Sequence, residues 1–314
     1  MAKGIYVGVN GTPRRVVKVF VGVNGVPRRV TKVYVGVNGV PKLVWTSVEP
    51  GQVVFTSSQI WTVPEGVTKV DIFCVGGGGG GLPGFSQAGY GTAYGGAGGG
   101  GGYTSKALGV TVTPGSQHSV TIGAGGSTIS AGNYASVSAG TASSFGSLLT
   151  ASGGPGRTNN MGIPMTGGSG GSGGSCGTIT ESSGKANGGS DGGNGFGLAS
   201  TLYSGNWQAG IGQGSSTRAF GEAGNTLYSG GGGAGWAYSA ATPYTWTGGS
   251  GGAGGGGAGG YTDSATYPVV GTNGLPNTGG GGGGGASRRY SSSNQSANGG
   301  AGGSGIVIVR WSAQ

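Results

Sequence analysis

Glycine runs constrain this chain more than any other feature: residues 76–81, 98–102, 254–257 and 279–285 are unbroken glycine, and 86 of the 314 residues are Gly. Such stretches have no side chains with which to build a hydrophobic core, so their amides and carbonyls must find one another or stay in water. The triplet Gly-Gly-Ser occurs three times in succession across residues 167–175, a period of three. That period suits the polyproline II conformation, which rises about 3.1 Å per residue and makes no internal hydrogen bonds. Several such strands laid side by side can bond laterally, because glycine lets backbones approach. The simpler alternative is a flexible linker. A linker, however, has no need of Trp207, Trp236, Trp246 and many tyrosines, so the glycine field is expected to be a packed polyglycine II array. Collagen is excluded, since strict Gly-X-Y and abundant Pro are both absent. Leu, Ile, Val and Phe together fall below the roughly 20% that marks disordered chains, yet the high charge that accompanies disorder is missing.

The front of the chain has a different order. Ile5-Tyr6-Val7-Gly8-Val9-Asn10-Gly11-Thr12-Pro13-Arg14-Arg15 returns from Val19 and again from Val33, a repeat of 14 residues. Because 14 is even, strand parity survives from copy to copy. Val7, Val9, Val21, Val23, Val35 and Val37 therefore share one type of face, and Tyr6, Phe20 and Tyr34 the other. Each Asn-Gly pair, flanked by β-branched residues, predicts a tight hairpin turn. The expectation is a β-meander over residues 1–48 that cannot be stable alone. Its valine face is expected to be buried in an oligomer, a trimer, with the six valines as the oligomerisation contacts. Residues 1–50 also hold eight Lys or Arg against Glu49 alone. A basic repeat of this kind reads as a solvated face, and no nucleic-acid groove is expected.

From residue 49 to 314 the pattern predicts a second, glycine-rich domain. Scaffold strands are expected over about 52–75, 104–151 and 304–312, with glycine-rich excursions over about 76–102 and 152–303 and the last strand pairing beside the early ones. Residues 152–303 hold no amphipathic helical pattern. The fold class is accordingly all-β with almost no helix: a meander module, then a β-scaffold enclosing packed polyglycine II helices.

Catalytic chemistry finds little footing. Val70-Asp71-Ile72-Phe73-Cys74-Val75-Gly76, followed by Gly78 and Gly81, matches the strand and G-x-G-x-x-G dinucleotide pattern, but no helix-forming segment follows to receive a pyrophosphate. One His (His118), two Cys (Cys74 and Cys176) and scattered acids offer neither a metal set nor a carboxylate pair, so no enzyme, cofactor or metal is expected. No signal peptide or membrane-spanning run is read from the sequence. Recognition remains. Aromatic residues within glycine and serine loops combine rigid contact area with adaptable neighbours, and Trp207, Trp236, Tyr238, Tyr244 and Trp246 are the best candidates. Trp61 and Trp311 sit among aliphatic residues and are assigned to the scaffold.

The Ile-Tyr-Val-Gly-Val-Asn-Gly-x-Pro-Arg repeat resembles one at the front of bacteriophage tail and baseplate proteins, chiefly those of Gram-positive hosts. Trp61-Thr62-Val63-Pro64-Glu65-Gly66-Val67-Thr68-Lys69-Val70 through Cys74-Val75-Gly76-Gly77, closed by Gly305-Ile306-Val307-Ile308-Val309, resembles the glycine-rich domain of phage tail-fibre and tip-adhesin proteins. The resemblance implies a virion protein, made in the host cytoplasm and mounted at the tail tip. It would be joined to other tail or baseplate proteins, with variable loops that bind a bacterial surface glycan or surface protein. The alternative is a structural spacer or decoration fibre of the virion without specific recognition.

Overall fold

The computed structural model describes residues 5–86, 93–131, 137–156, 218–239, 248–262, 267–290 and 293–313. Its first six strands, β1 (Tyr6–Val9), β2 (Thr12–Arg15), β3 (Val19–Val23), β4 (Val26–Val30), β5 (Lys32–Val37) and β6 (Val40–Thr46), form three antiparallel hairpins. Asn10, Asn24 and Asn38 adopt φ of 50–52°, and the glycine after each adopts 76–78°. Two consecutive positive φ values define the turn whose twist suits a two-residue hairpin, which is why Asn-Gly recurs there. The hairpins are separate two-stranded sheets, where the sequence predicted a continuous meander. The physical reason lies in the repeat itself. Each copy carries its own turn and pairs with itself, and Pro13, Pro27 and Pro41 lack the amide needed to extend a ladder.

Two four-stranded sheets follow and face each other. One has the order β12 (Thr104–Thr111), β9 (Lys69–Val75), β19 (Ile306–Trp311), β7 (Gly51–Phe55); the other has β15 (Leu149–Ala151), β14 (Ser143–Phe145), β13 (Gln117–Thr121), β8 (Gln59–Thr62). The last strand pairs with both β7 and β9, as expected from the sequence. Between the sheets lie Phe55, Val63, Val67, Ile72, Cys74, Phe145, Val307 and Val309, all buried. On the outer face of β9 and β19, Phe73, Val75, Ile306 and Ile308 are covered by Ala219, Phe220 and Tyr228. Burial on both faces explains why residues 72–75 are apolar without alternation. Trp61 packs against Phe55, Phe145 and Trp311 at ring-centroid distances of 6.4, 5.7 and 6.1 Å, so both scaffold tryptophans serve this core.

Glycine-rich rods extend from one end of the sandwich. Within 76–84, amides of residues 76, 79 and 82 donate to carbonyls of Tyr103, Gly100 and Ala97; those of 77 and 80 to Thr141 and Ser138; and those of 78, 81 and 84 to Gly303, Gly300 and Ala297, all at 2.8–3.2 Å. Each third residue points to the same neighbour, the three-residue turn of polyglycine II. Carbonyls of the same rod accept from Gly126, Gly154 and Gly282, so six rods ring it: 95–103, 137–142, 297–304, 123–128, 152–156 and 279–286. The rod 279–286 is ringed in turn by 76–84, 95–103, 229–235, 256–260, 269–275 and 297–304. The segment 248–253 bonds to 229–235 and 256–260 on the outside. This is a hexagonal array with two enclosed members. Rods 123–128 and 137–142 belong to it although the sequence placed 104–151 in the scaffold; their Ala124, Ser127, Ser138 and Thr141 hide the glycine pattern. The triplet run at 167–175 lies outside the described residues.

The chain that returns at 218–228 is fastened to the sandwich by Arg310. Its guanidinium stacks over Phe220 at 3.9 Å, donates to Glu222 at 2.6 and 3.0 Å, and reaches Asp71 at 3.2 Å. Hydrogen bonding from Arg310 holds the Glu222 carboxyl below its ordinary value of 4.5. A carboxyl whose folded-state pKa is depressed stabilises fully above the unfolded value and loses that contribution as pH falls through the folded one. Stability should therefore decline as pH falls below about 4.5, and Glu222→Gln should flatten that part of the melting-temperature profile. The effect should be small, because the Glu222 side chain is 51% exposed.

Candidate functional site

All rods run between the sandwich and one far end. Rods 76–84, 229–235, 256–260 and 279–286 carry the chain outward, and 95–103, 248–253, 269–275 and 297–304 bring it back. At the far end the sandwich has no residues, and the chain changes conformation again. β10 (Phe85–Ser86) pairs with β11 (Ala93–Tyr94), and β16 (Ala237–Ser239), β17 (Ser287–Tyr290) and β18 (Ser293–Ser296) form a three-stranded sheet. Ser86 Oγ donates to the Gln295 carbonyl at 3.3 Å and shares a hydrogen bond with Ser296 Oγ at 3.2 Å, which ties the two sheets into one cap.

Of the sequence-predicted recognition residues, Trp236 is at the exit of rod 229–235, half-buried, with its amide donating to the Gly260 carbonyl and its carbonyl accepting from the Ser287 amide, both at 2.9 Å. Tyr238 follows in β16, opposite Arg288 of β17, which in turn faces Gln295 of β18. Trp207, Tyr244 and Trp246 lie outside the described residues. The chain holding Tyr244 and Trp246 leaves at Ser239 and re-enters at Gly248, both at the cap. Tyr261 and Tyr267 are also at this end, the latter 72% exposed.

Sequence reasoning missed Arg288 and Arg289. They occupy the strand at the centre of the cap sheet, and from residue 223 to 309 the other charged residue is Asp263. That isolation was the available signal. Two adjacent arginines hold all the positive charge of this stretch and put it on one strand of the cap.

The remaining sequence candidates fall elsewhere. Gly76, Gly78 and Gly81 of the dinucleotide-like pattern lie in the enclosed rod, surrounded by backbone, which leaves no space for a pyrophosphate. His118 stacks on Phe145 at 5.0 Å and shares a hydrogen bond with Ser116 Oγ at 3.2 Å, a scaffold position. Cys74 is fully buried, and desolvation pushes its thiol up to about 12. At the opposite end, Val7, Val9, Val21, Val23, Val35 and Val37 are 40–52% exposed on the hairpins. A cleft of about 230 Å³ lies at the hairpin bases, between Arg15, Leu43, Trp45, Glu65, Gly66 and Pro114.

A sandwich that clamps a hexagonal glycine array defines a class of protein built on backbone packing. Residues 54–312 match the glycine-rich domain family, and the chain belongs to it. No curated protein matches the chain.

Proposed function

We propose that the chain is a phage tail-fibre or tip protein that recognises a bacterial surface glycan or protein through the far end of its glycine array. The observation that carries this reading is convergence. Rods 76–84, 229–235, 256–260 and 279–286 all finish at the same end of the array, which gathers Trp236, Tyr238, Tyr261, Tyr267, Arg288 and Arg289 from segments far apart in sequence. The rods beneath are held by backbone hydrogen bonds, so residues at the cap can vary without disturbing what supports them. Aromatic rings on a rigid base with small neighbours suit sugar faces and protein surfaces alike, and the arginines add directed donors for hydroxyl or acidic groups. The repeat at residues 5–43 supports a virion setting through its likeness to phage baseplate proteins, and it would join the chain to the rest of the tail.

The test is adsorption of the labelled full chain to a panel of Gram-positive cells and to their wall polysaccharides. Tyr267→Ala, Arg288→Ala and Trp246→Ala should each weaken binding about tenfold or more while leaving the melting temperature unchanged. A spacer without recognition would adsorb to none of the panel. Binding that persists in all three variants would place recognition elsewhere on the chain.

A further inference from the structure

The three hairpins expose two chemically different faces, and the valine face carries a cation in every copy. On the aromatic face the cross-strand pairs are Tyr6 with Arg15, Phe20 with Arg29 and Tyr34 with Leu43. Arg29 is ion-paired with Glu49 and hydrogen-bonded to Ser47, and the third copy has a leucine in place of the arginine. On the valine face, Val7 is opposite Arg14, Val21 opposite Arg28 and Val35 opposite Lys42. These three cations are exposed and make no ion pair among the described residues. Residues 1–48 contain no Asp or Glu that could answer them.

Apolar area of this kind calls for a cover. Val7, Val21, Val26, Val35 and Val40 are 48–58% exposed on this face. A second copy of the chain is a poor cover, because a self-complementary contact brings Arg14, Arg28 and Lys42 toward their own equivalents with no carboxylate between them, and like charges buried together are costly. Nucleic acid is also a poor cover. The valine face has no ring on which a base could stack, and phosphates would be set against valines. From this distribution we infer that the valine face of the hairpins docks a different protein, one that presents an apolar strand surface flanked by Asp or Glu. The repeat provides this contact three times at one spacing in sequence, and the unpaired cations act against self-association. The inference does not depend on what the far end of the molecule binds.

Three versions of the full chain test it: the wild type, Arg14→Gln/Arg28→Gln/Lys42→Gln, and Arg14→Glu/Arg28→Glu/Lys42→Glu, with association read by energy transfer between labelled partners. The substituted positions are exposed, and an unchanged melting temperature for the glycine-rich domain confirms folding. Wild type with the Glu variant should form a complex at about 50 mM salt that weakens at least about tenfold by about 500 mM. Two wild-type chains should not associate through this face, whereas the neutral Gln variant should begin to. Wild-type self-association that Val21→Ser and Val35→Ser abolish would make the face a homo-oligomer contact and overturn the proposal. Failure of the wild type to pair with the Glu variant would overturn it too, as would equally tight, equally salt-sensitive binding of the wild type to duplex DNA.

Discussion

Gly281→Ala should destabilise the protein by about 3 kcal/mol or more, lowering its melting temperature by on the order of 10 °C, or prevent folding. A methyl group there would stand 2.1 Å from the Gly99 carbonyl oxygen, and that oxygen is part of a neighbouring rod that is itself held on several sides. Nothing flexible can yield. Ser250→Ala is the matched control. Residue 250 is on the outermost described rod and exposed, so its change should leave melting within about 0.5 kcal/mol of wild type. Equal melting of the two variants would show that the rods are not packed against one another in solution. Differential scanning calorimetry on the full chain is sufficient to decide.

Phe73→Ala should cost about 3–5 kcal/mol. The ring is fully buried on the outer face of β9, 5.8 Å from Phe220 and 5.6 Å from Tyr228 by centroid. Its removal leaves a cavity between the sheet and the returning segment 218–228, whose other fastenings are the partly exposed Arg310 and the Lys106 ammonium, which donates to the Phe220 carbonyl at 3.0 Å. Hydrogen exchange should therefore accelerate at Ala219 and Gly221 before it does in β9 itself, because the sheet retains its ladder while the segment loses its anchor. Uniform exchange across both would mean that segment and sheet open as one unit.

How much of this could be read from the sequence follows from the range of each interaction. The hairpin turns were legible because Asn-Gly states its own backbone angles, and β7, β9 and β19 because β-branched and aromatic runs between turn residues have few other uses. The array was legible in kind but not in layout. With the layout known, the composition becomes readable. Residues 76–81 and 279–285, pure glycine, are in the enclosed rods, where every direction meets backbone. Rods on the perimeter replace glycine at every third position on the side that faces water, as Ala124 and Ser127, and Ser250 and Ala253 do. What the sequence could not disclose was which rods adjoin, since all offer the same amides and carbonyls. It also concealed the cap sheet, whose strands come from residues 237–239 and 287–296 and carry no strong alternation.

The enclosed rod 76–84 bonds to 297–304, and the strand that closes the sandwich is β19 at residues 306–311. During synthesis the first rod therefore waits more than two hundred residues for its last partner. A ribosome adding roughly 5–20 residues per second would leave the amides of residues 78, 81 and 84 without that partner for tens of seconds or somewhat less. A conventional hydrophobic core exposed for so long invites aggregation, but a glycine stretch exposes amides and carbonyls that water satisfies well. Building the interior from backbone lets a chain with contacts this distant in sequence survive until its last strand arrives. It also makes the arrival of β19, not collapse of the early strands, the event that commits the domain to fold.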